Sequence, residues 1–280
     1  MNYLLKNMLS DGSLLCPIYR KEASRFLDRL DFHPHYELYL CRIATPQSMM
    51  IGGEKQTVLT PCALILPPFR VHHISLREPN EEFERYVIYF GDEFISRFDR
   101  RVLNRSLTDR IAGILIPLSD PEVNDLLGLA NPLYREDTSE SEKACALAGL
   151  INSLSRLSLT RDTVSFGEAV SDVPKILEYI YQNVSEDLNA DSLAATFNIS
   201  RPKLDRDFRR YVGQSVHKTV MDCRISLALS LLRNTDRPVA EIASACGFES
   251  EYYFYSFFKR LTGHTPSKWR SSPELHADIL

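Results

Sequence analysis

The feature that most constrains this chain is a repeat in its last third. Residues 193–215, LAATFNISRPKLDRDFRRYVGQS, align with residues 242–265, IASACGFESEYYFYSFFKRLTGHT, at an offset of 49 that becomes 50 after one inserted residue. Leu193-Ala194 matches Ile242-Ala243, and Asn198-Ile199 matches Gly247-Phe248. Beyond the insertion, Leu204, Phe208, Arg209-Arg210 and Gly213 match Phe254, Phe258, Lys259-Arg260 and Gly263. A repeat of this kind is one supersecondary unit used twice.

Each copy reads as helix, tight turn, helix. Ala194 and Ala243 are small enough for the second helix to approach the first. Asn198 and Gly247 occupy the turn, where positive φ is needed and these residue types tolerate it. Asp191 is expected to cap the first helix of the first copy, and Ser200 and Ser250 the second helices. Gly213 and Gly263 close those helices after a basic last turn. Between the copies, MDCRISLALSLLRN places Ile225, Ala228, Leu229 and Leu232 on one face of a connecting helix, and Asp236-Arg237-Pro238 marks the next start. The segment GFESEYYFYSFFKR has the composition of a strand. Its Phe254, Phe257, Phe258 and Leu261 nevertheless follow i, i+3, i+4, i+7, the spacing of a helix with a buried aromatic stripe.

The constellation resembles the AraC/XylS family of bacterial transcription regulators. The family's paired helix-turn-helix pattern is matched by RISLALSLL (224–232), VAEIASACGF (239–248), FKRLTGHTP (258–266) and the closing Trp269-Arg270. The resemblance covers residues ~173–271 and implies two units that bind successive major grooves of double-stranded DNA about 34 Å apart. In the first copy, Leu204, Phe208 and Tyr211 are spaced for the core. Six basic residues and two acidic ones lie between Ser200 and Lys218. A recognition helix offers its N-terminal residues to base edges, so Arg201, Lys203 and Arg206 are the leading contacts, with Ser200 at the cap. Arg209 and Arg210 fall later, toward phosphate or an internal carboxylate. In the second copy the outward set is Ser250, Glu251, Tyr252, Tyr255, Ser256 and Lys259. The family usually carries serine at Tyr252 and arginine at Ser256, so the second unit is expected to be the weaker reader. Val216 and Thr219 likewise replace a usual proline and aromatic.

Residues ~10–95 differ in texture: short β-rich runs (YELYLCRI, QTVLT, CALILPPF, RYVIYF) separated by turn signals suggest an antiparallel sandwich or small barrel. FHPHYELYL (32–40), ILPPFRVHH (65–73) and YVIYFGDEF (86–94) resemble the cupin-type effector domain that many such regulators carry. Three readings compete for its histidines, the plainest being barrel-mouth side chains satisfied by backbone groups. Another is a metal set of His33, His35, Glu37 and His72 or His73, because imidazoles and a carboxylate suit Zn, Fe, Mn or Ni. The favoured one is an organic effector pocket lined by His33, His35, Glu37, Tyr39 and His72, with no metal and no cofactor. Ala144, Leu147, Leu150, Ile151, Leu154 and Leu157 form an amphipathic stripe that either docks a second subunit or packs on its own barrel.

The fold expected is therefore α+β and multidomain. A cupin-like antiparallel β-barrel and helical dimerisation segment (1–160) precede a linker (161–172) and an all-α domain with two helix-turn-helix units (173–280). The net charge of −4 advertises no polyanion partner, but its distribution does more: residues 1–172 carry 19 basic against 24 acidic groups, and residues 173–280 carry 14 against 13. Six scattered cysteines without a C-x-x-C pair suit reduced thiols. The N-terminus lacks a signal-peptide core and no apolar run approaches a membrane span, so a cytoplasmic protein is expected. The reading is a regulator, not an enzyme: a homodimer, with a small-molecule effector and with RNA polymerase as a further candidate partner. The rivals are a metal-dependent cupin enzyme with a helical appendage and a regulator without a ligand.

Overall fold

The computed structural model describes residues 15–20, 32–42, 47–58, 61–75, 84–91, 113–135, 137–165 and 172–272. Two compact units separate near residue 170, one within Leu9–Val170 and the other within Ser171–Leu280.

The first unit carries strands β1 (Leu15–Arg20), β2 (Tyr36–Cys41), β3 (Gln47–Ile51), β4 (Glu54–Val58), β5 (Cys62–Leu66), β6 (His72–Ser75), β7 (Arg85–Phe90), β8 (Ile114–Pro117) and β9 (Val164–Ser165). They form a six-stranded sheet in the order β1-β7-β2-β5-β8-β9 and a three-stranded sheet in the order β4-β3-β6, with every pairing antiparallel. The two-residue period of β2 and its neighbours sorts the large sheet into two apolar faces. Leu38, Leu40, Ile65, Ile88 and Phe90 share a core with helices α1 (Asp120–Ala130) and α2 (Glu140–Leu159). Tyr39, Cys41, Leu64, Leu66 and Tyr89 pack instead with Met49 and Ile51 of the small sheet.

Three expectations are narrowed here. The barrel resolves into two sheets, and no pairing that joins them is found among the described residues. The stripe of α2 is consumed by its own unit: Leu147, Leu150, Ile151 and Leu154 are buried against the large sheet and α1, so these side chains are not free to dock a second subunit. The linker begins later than expected, because Val164 and Ser165 pair with Leu115 and Ile114 as an edge strand. Just before that strand, Arg161 donates to both carboxylate oxygens of Glu122, at 3.1 and 2.5 Å, and to the carbonyl of Pro117 at 2.7 Å.

The second unit is helical throughout its described length: α3 (Val173–Gln182), α4 (Ala190–Thr196), α5 (Arg201–Tyr211), α6 (Val216–Asn234), α7 (Val239–Ala245), α8 (Glu251–Thr262) and α9 (Pro266–Ser271). The repeat is thus α4–α5 and α7–α8, joined by the 19-residue α6. Both turns have left-handed backbone where the sequence places it, at Asn198 (φ +51°) and Gly247 (φ +77°). Ser200 and Ser250 cap α5 and α8 by accepting from Lys203 and Tyr253 backbone N–H groups. The cap of α4 is Asn189, not Asp191: the Asn189 carboxamide oxygen accepts from the backbone of Asp191 and Ser192. Asp191 lies two positions inside, and its carboxylate reaches Arg201 at 2.8 Å instead.

Ile225, Ala228, Leu229 and Leu232 of α6 meet Phe254, Phe257, Phe258 and Trp269 in one core. Arg224 ties the loop before α4 to the turn of the second copy. Its Nε donates to the carbonyl of Val184 and its Nη2 to that of Glu186, while the guanidinium lies 5.9 Å from the ring centroid of Phe248. Val216 and Thr219 are buried, and the Thr219 hydroxyl donates to the carbonyl of Ser215, so their departure from the family pattern costs no satisfied polar group.

Candidate functional site

Helix α5 buries Leu204 and Phe208 and turns its cations outward, as 3.6 residues per turn require. The leading contacts do not share one state. Arg201 is engaged by Asp191 at 2.8 Å and Asp205 at 3.0 Å, and Lys203 by Asp207 at 2.7 Å. These carboxylates position the two side chains along the helix and neutralise part of their charge. Arg206 is different: its side chain is 70% exposed and its nearest carboxylate, Asp207, stands at 3.8 Å. Arg209 and Arg210 are exposed, and among the described residues neither has a carboxylate within 4.0 Å. Arg206, Arg209 and Arg210 line a shallow depression with Pro202 and Asp205. This is a polar, cationic surface running from the middle to the last turn of a helix, suited to base edges and phosphates.

Helix α8 buries Phe254, Phe257 and Phe258, as its spacing predicts. Glu251, Tyr252, Ser256 and Lys259 are exposed and Tyr255 is half-buried against Phe254. Tyr253 is the residue that the periodicity misses: it is 45% exposed beside Tyr252 at 83%, because it sits at the edge of the stripe next to Phe248. The outer face of α8 thus offers two phenols, a hydroxyl, one acid and one lysine. Arg260 leans away over Phe257, 4.7 Å from the ring centroid.

In the first unit the structure brings together His33, Glu37 and His72. Glu37 Oε2 is 2.8 Å from His33 Nε2 and 3.0 Å from His72 Nε2. Glu37 comes from β2 of the large sheet, and His72 opens β6 of the small one, so the cluster links the two sheets. All three are buried, at 3%, 3% and 5% exposure. His72 Nδ1 lies 2.8 Å from the carbonyl of Arg70, and the Phe69 N–H donates to the carbonyl of His33 at 2.7 Å. Phe69 adopts φ +59°, strained for a side chain of its size, and lies in the same loop. Burial alone would raise the Glu37 pKa. The neighbouring His72 charge and hydrogen bonds from both imidazoles outweigh it and hold the carboxylate well below its usual range.

The expected pocket is only partly recovered. Tyr39 is fully buried in the core between the sheets. His35 is half-buried and does not join the cluster. The His-x-His argument assumed that both residues were in a strand, but β2 starts at Tyr36 after a bend at Pro34 and His35. The bend replaces alternation by an i, i+4 meeting of His33 and Glu37. No single-sequence pattern announces that geometry.

Residues 193–272 match the family model described as helix-turn-helix domain. The xylose operon regulatory protein of Escherichia coli (strain K12) is 32% identical over 98 residues, which are 35% of this chain but only 25% of that protein. The chain therefore spans a quarter of the length of that relative. The arabinose operon regulatory protein of the same strain is 29% identical over 220 residues, covering 75% of this chain and 72% of the relative. Among solved structures, unsaturated fatty acid bound wild-type ToxT from Vibrio cholerae strain SCE256 superposes with a TM-score of 0.51 at 16% identity, over 92% of this chain and 94% of that one. The likeness extends the shared fold to both units.

Proposed function

We propose that the chain, whose residues 193–272 carry a helix-turn-helix domain, is a sequence-specific DNA-binding transcription regulator of the AraC/XylS type, modulated by a small molecule held in its first unit. The observation that carries the reading is the exposed cationic face of α5, centred on Arg206, within a twice-used helix-turn-helix frame. The names of the relatives, regulators of a xylose and an arabinose operon, support it. ToxT carries a bound unsaturated fatty acid, which supports an organic effector in a unit of this fold. Closure of the two sheets into a cupin-like barrel, a homodimer, contact with RNA polymerase and residence in the cytoplasm belong to the same reading. A dimer would use surfaces other than the buried stripe of α2. The relatives named above are regulators of operons, which supports a regulator rather than an enzyme.

The DNA-reading set is Ser200, Arg201, Lys203, Arg206 and Arg209 from the first unit and Ser250, Glu251, Tyr252, Tyr255, Ser256 and Lys259 from the second. Effector binding would act by favouring one presentation of the two readers, which requires different affinities in the two states. The test has two arms. Selection of bound duplexes from a random pool, followed by anisotropy at stated salt, should yield a motif bound at least ~10³-fold tighter than scrambled DNA. A metabolite panel should contain a compound that raises the melting temperature and changes that affinity. A chain without sequence preference would overturn the reading.

A further inference from the structure

We propose that His33, Glu37 and His72 form a binding site for a divalent first-row transition-metal ion. Their ligand atoms, two imidazole nitrogens and a carboxylate oxygen, all lie within 4.8 Å of one another. Ligands about 2.1 Å from one ion stand roughly 3.0–3.4 Å apart in octahedral or tetrahedral arrangements, and the two N···O separations here are 2.8 and 3.0 Å.

The hydrogen bonding of His72 aims a ligand atom at the cluster. A carbonyl oxygen only accepts, so the 2.8 Å contact to Arg70 places a hydrogen on His72 Nδ1. That leaves Nε2, the atom 3.0 Å from the Glu37 carboxylate, as the one that would meet a metal ion. A carbonyl that fixes the tautomer of a ligating histidine is the usual outer support of a metal site. The same Glu37 oxygen also meets His33 Nε2, so three donors from two distant chain segments gather in one buried cluster. Two imidazoles and a carboxylate without thiolate favour Zn²⁺, Fe²⁺, Co²⁺, Ni²⁺ or Mn²⁺ over Cu⁺, Ca²⁺ or Mg²⁺. Because Glu37 and His72 belong to different sheets, the ion would clasp the two layers of the first unit. Failure of DNA binding would leave this site untouched, since none of its residues belongs to the helix-turn-helix unit.

The experiment uses the full chain without a histidine tag, stripped by chelation and titrated with Co²⁺. The expected result is one Co²⁺ per chain, with visible ligand-field bands that Zn²⁺ displaces and a raised melting temperature. His72→Gln and Glu37→Gln should each weaken binding at least tenfold, whereas His35→Gln should retain the bands. If a variant misfolds, X-ray absorption of the Zn²⁺-loaded natural chain decides, with two imidazoles expected in the coordination shell. Absence of stoichiometric Co²⁺, a shell with sulfur or without imidazole, or loss of the bands in His35→Gln would overturn the assignment.

Discussion

At the scale of single residues, exposure separates side chains that the sequence treats alike. Arg201, Lys203 and Arg206 are equivalent candidates by spacing, yet two are held by carboxylates at 2.7–3.0 Å and the third is 70% exposed with its nearest carboxylate at 3.8 Å. Arg206→Ala should lower specific DNA affinity about tenfold or more and blunt base preference at one position, while Ser256→Ala changes it less than about twofold. Anisotropy titrations of both variants at one salt concentration check this asymmetry, and equal losses would refute it. Glu122 gives a prediction with a definite pH window. Hydrogen bonds from Arg161 and Ser119 lower its pKa from 4.5 to about 2. A carboxylate whose folded pKa is depressed stabilises above its unfolded pKa and loses that contribution as pH falls. Glu122→Gln should therefore lower the melting temperature at pH 7, and the difference from the natural chain should vanish as pH drops from 4.5 toward 2.

At the scale of elements, the repeat was legible because helix period, turn residue and cap all agree in both copies. The aromatic α8 illustrates the point: composition suggested a strand, period gave a helix, and Phe254, Phe257 and Phe258 are buried as the period requires. What could not be read was which polar residue caps α4, since Asn189 and Asp191 are chemically alike and only the exact start of the helix decides. Two glycines with nearly equal φ test the turn. A Cβ on Gly247 (φ +77°) would stand 2.9 Å from the carbonyl oxygens of Val184 and Ser185 and from Arg224. A Cβ on Gly263 (φ +79°) would meet nothing within 4 Å. Gly263→Ala should thus cost only the left-handed backbone, about 1–2 kcal/mol. Gly247→Ala should cost clearly more, because backbone oxygens cannot swing aside. Urea titrations of the two variants measure the difference, and equal midpoints would show that the close approach is relaxed.

At the scale of the whole molecule, the two units differ in how much the sequence disclosed. Local pattern specifies the C-terminal unit, whereas the first unit depends on pairings between distant strands. His33, Glu37 and His72 meet only because β2 and β6 lie in facing sheets and a bend precedes β2. The C-terminal unit owns its core, from Ile225 and Leu229 of α6 to Trp269 of α9. Residues 172–280 expressed alone should therefore fold, melt cooperatively by circular dichroism and bind DNA without responding to an effector. A non-cooperative melt would mean that the core is incomplete without the first unit. Finally, the phenylalanine stripe anchors α8 from behind, while Tyr252, Ser256 and Lys259 face outward from it. Substitutions there leave the buried stripe intact, and on the DNA reading proposed above selection can rewrite the taste of the second reader while the first keeps the lineage attached to its old promoters.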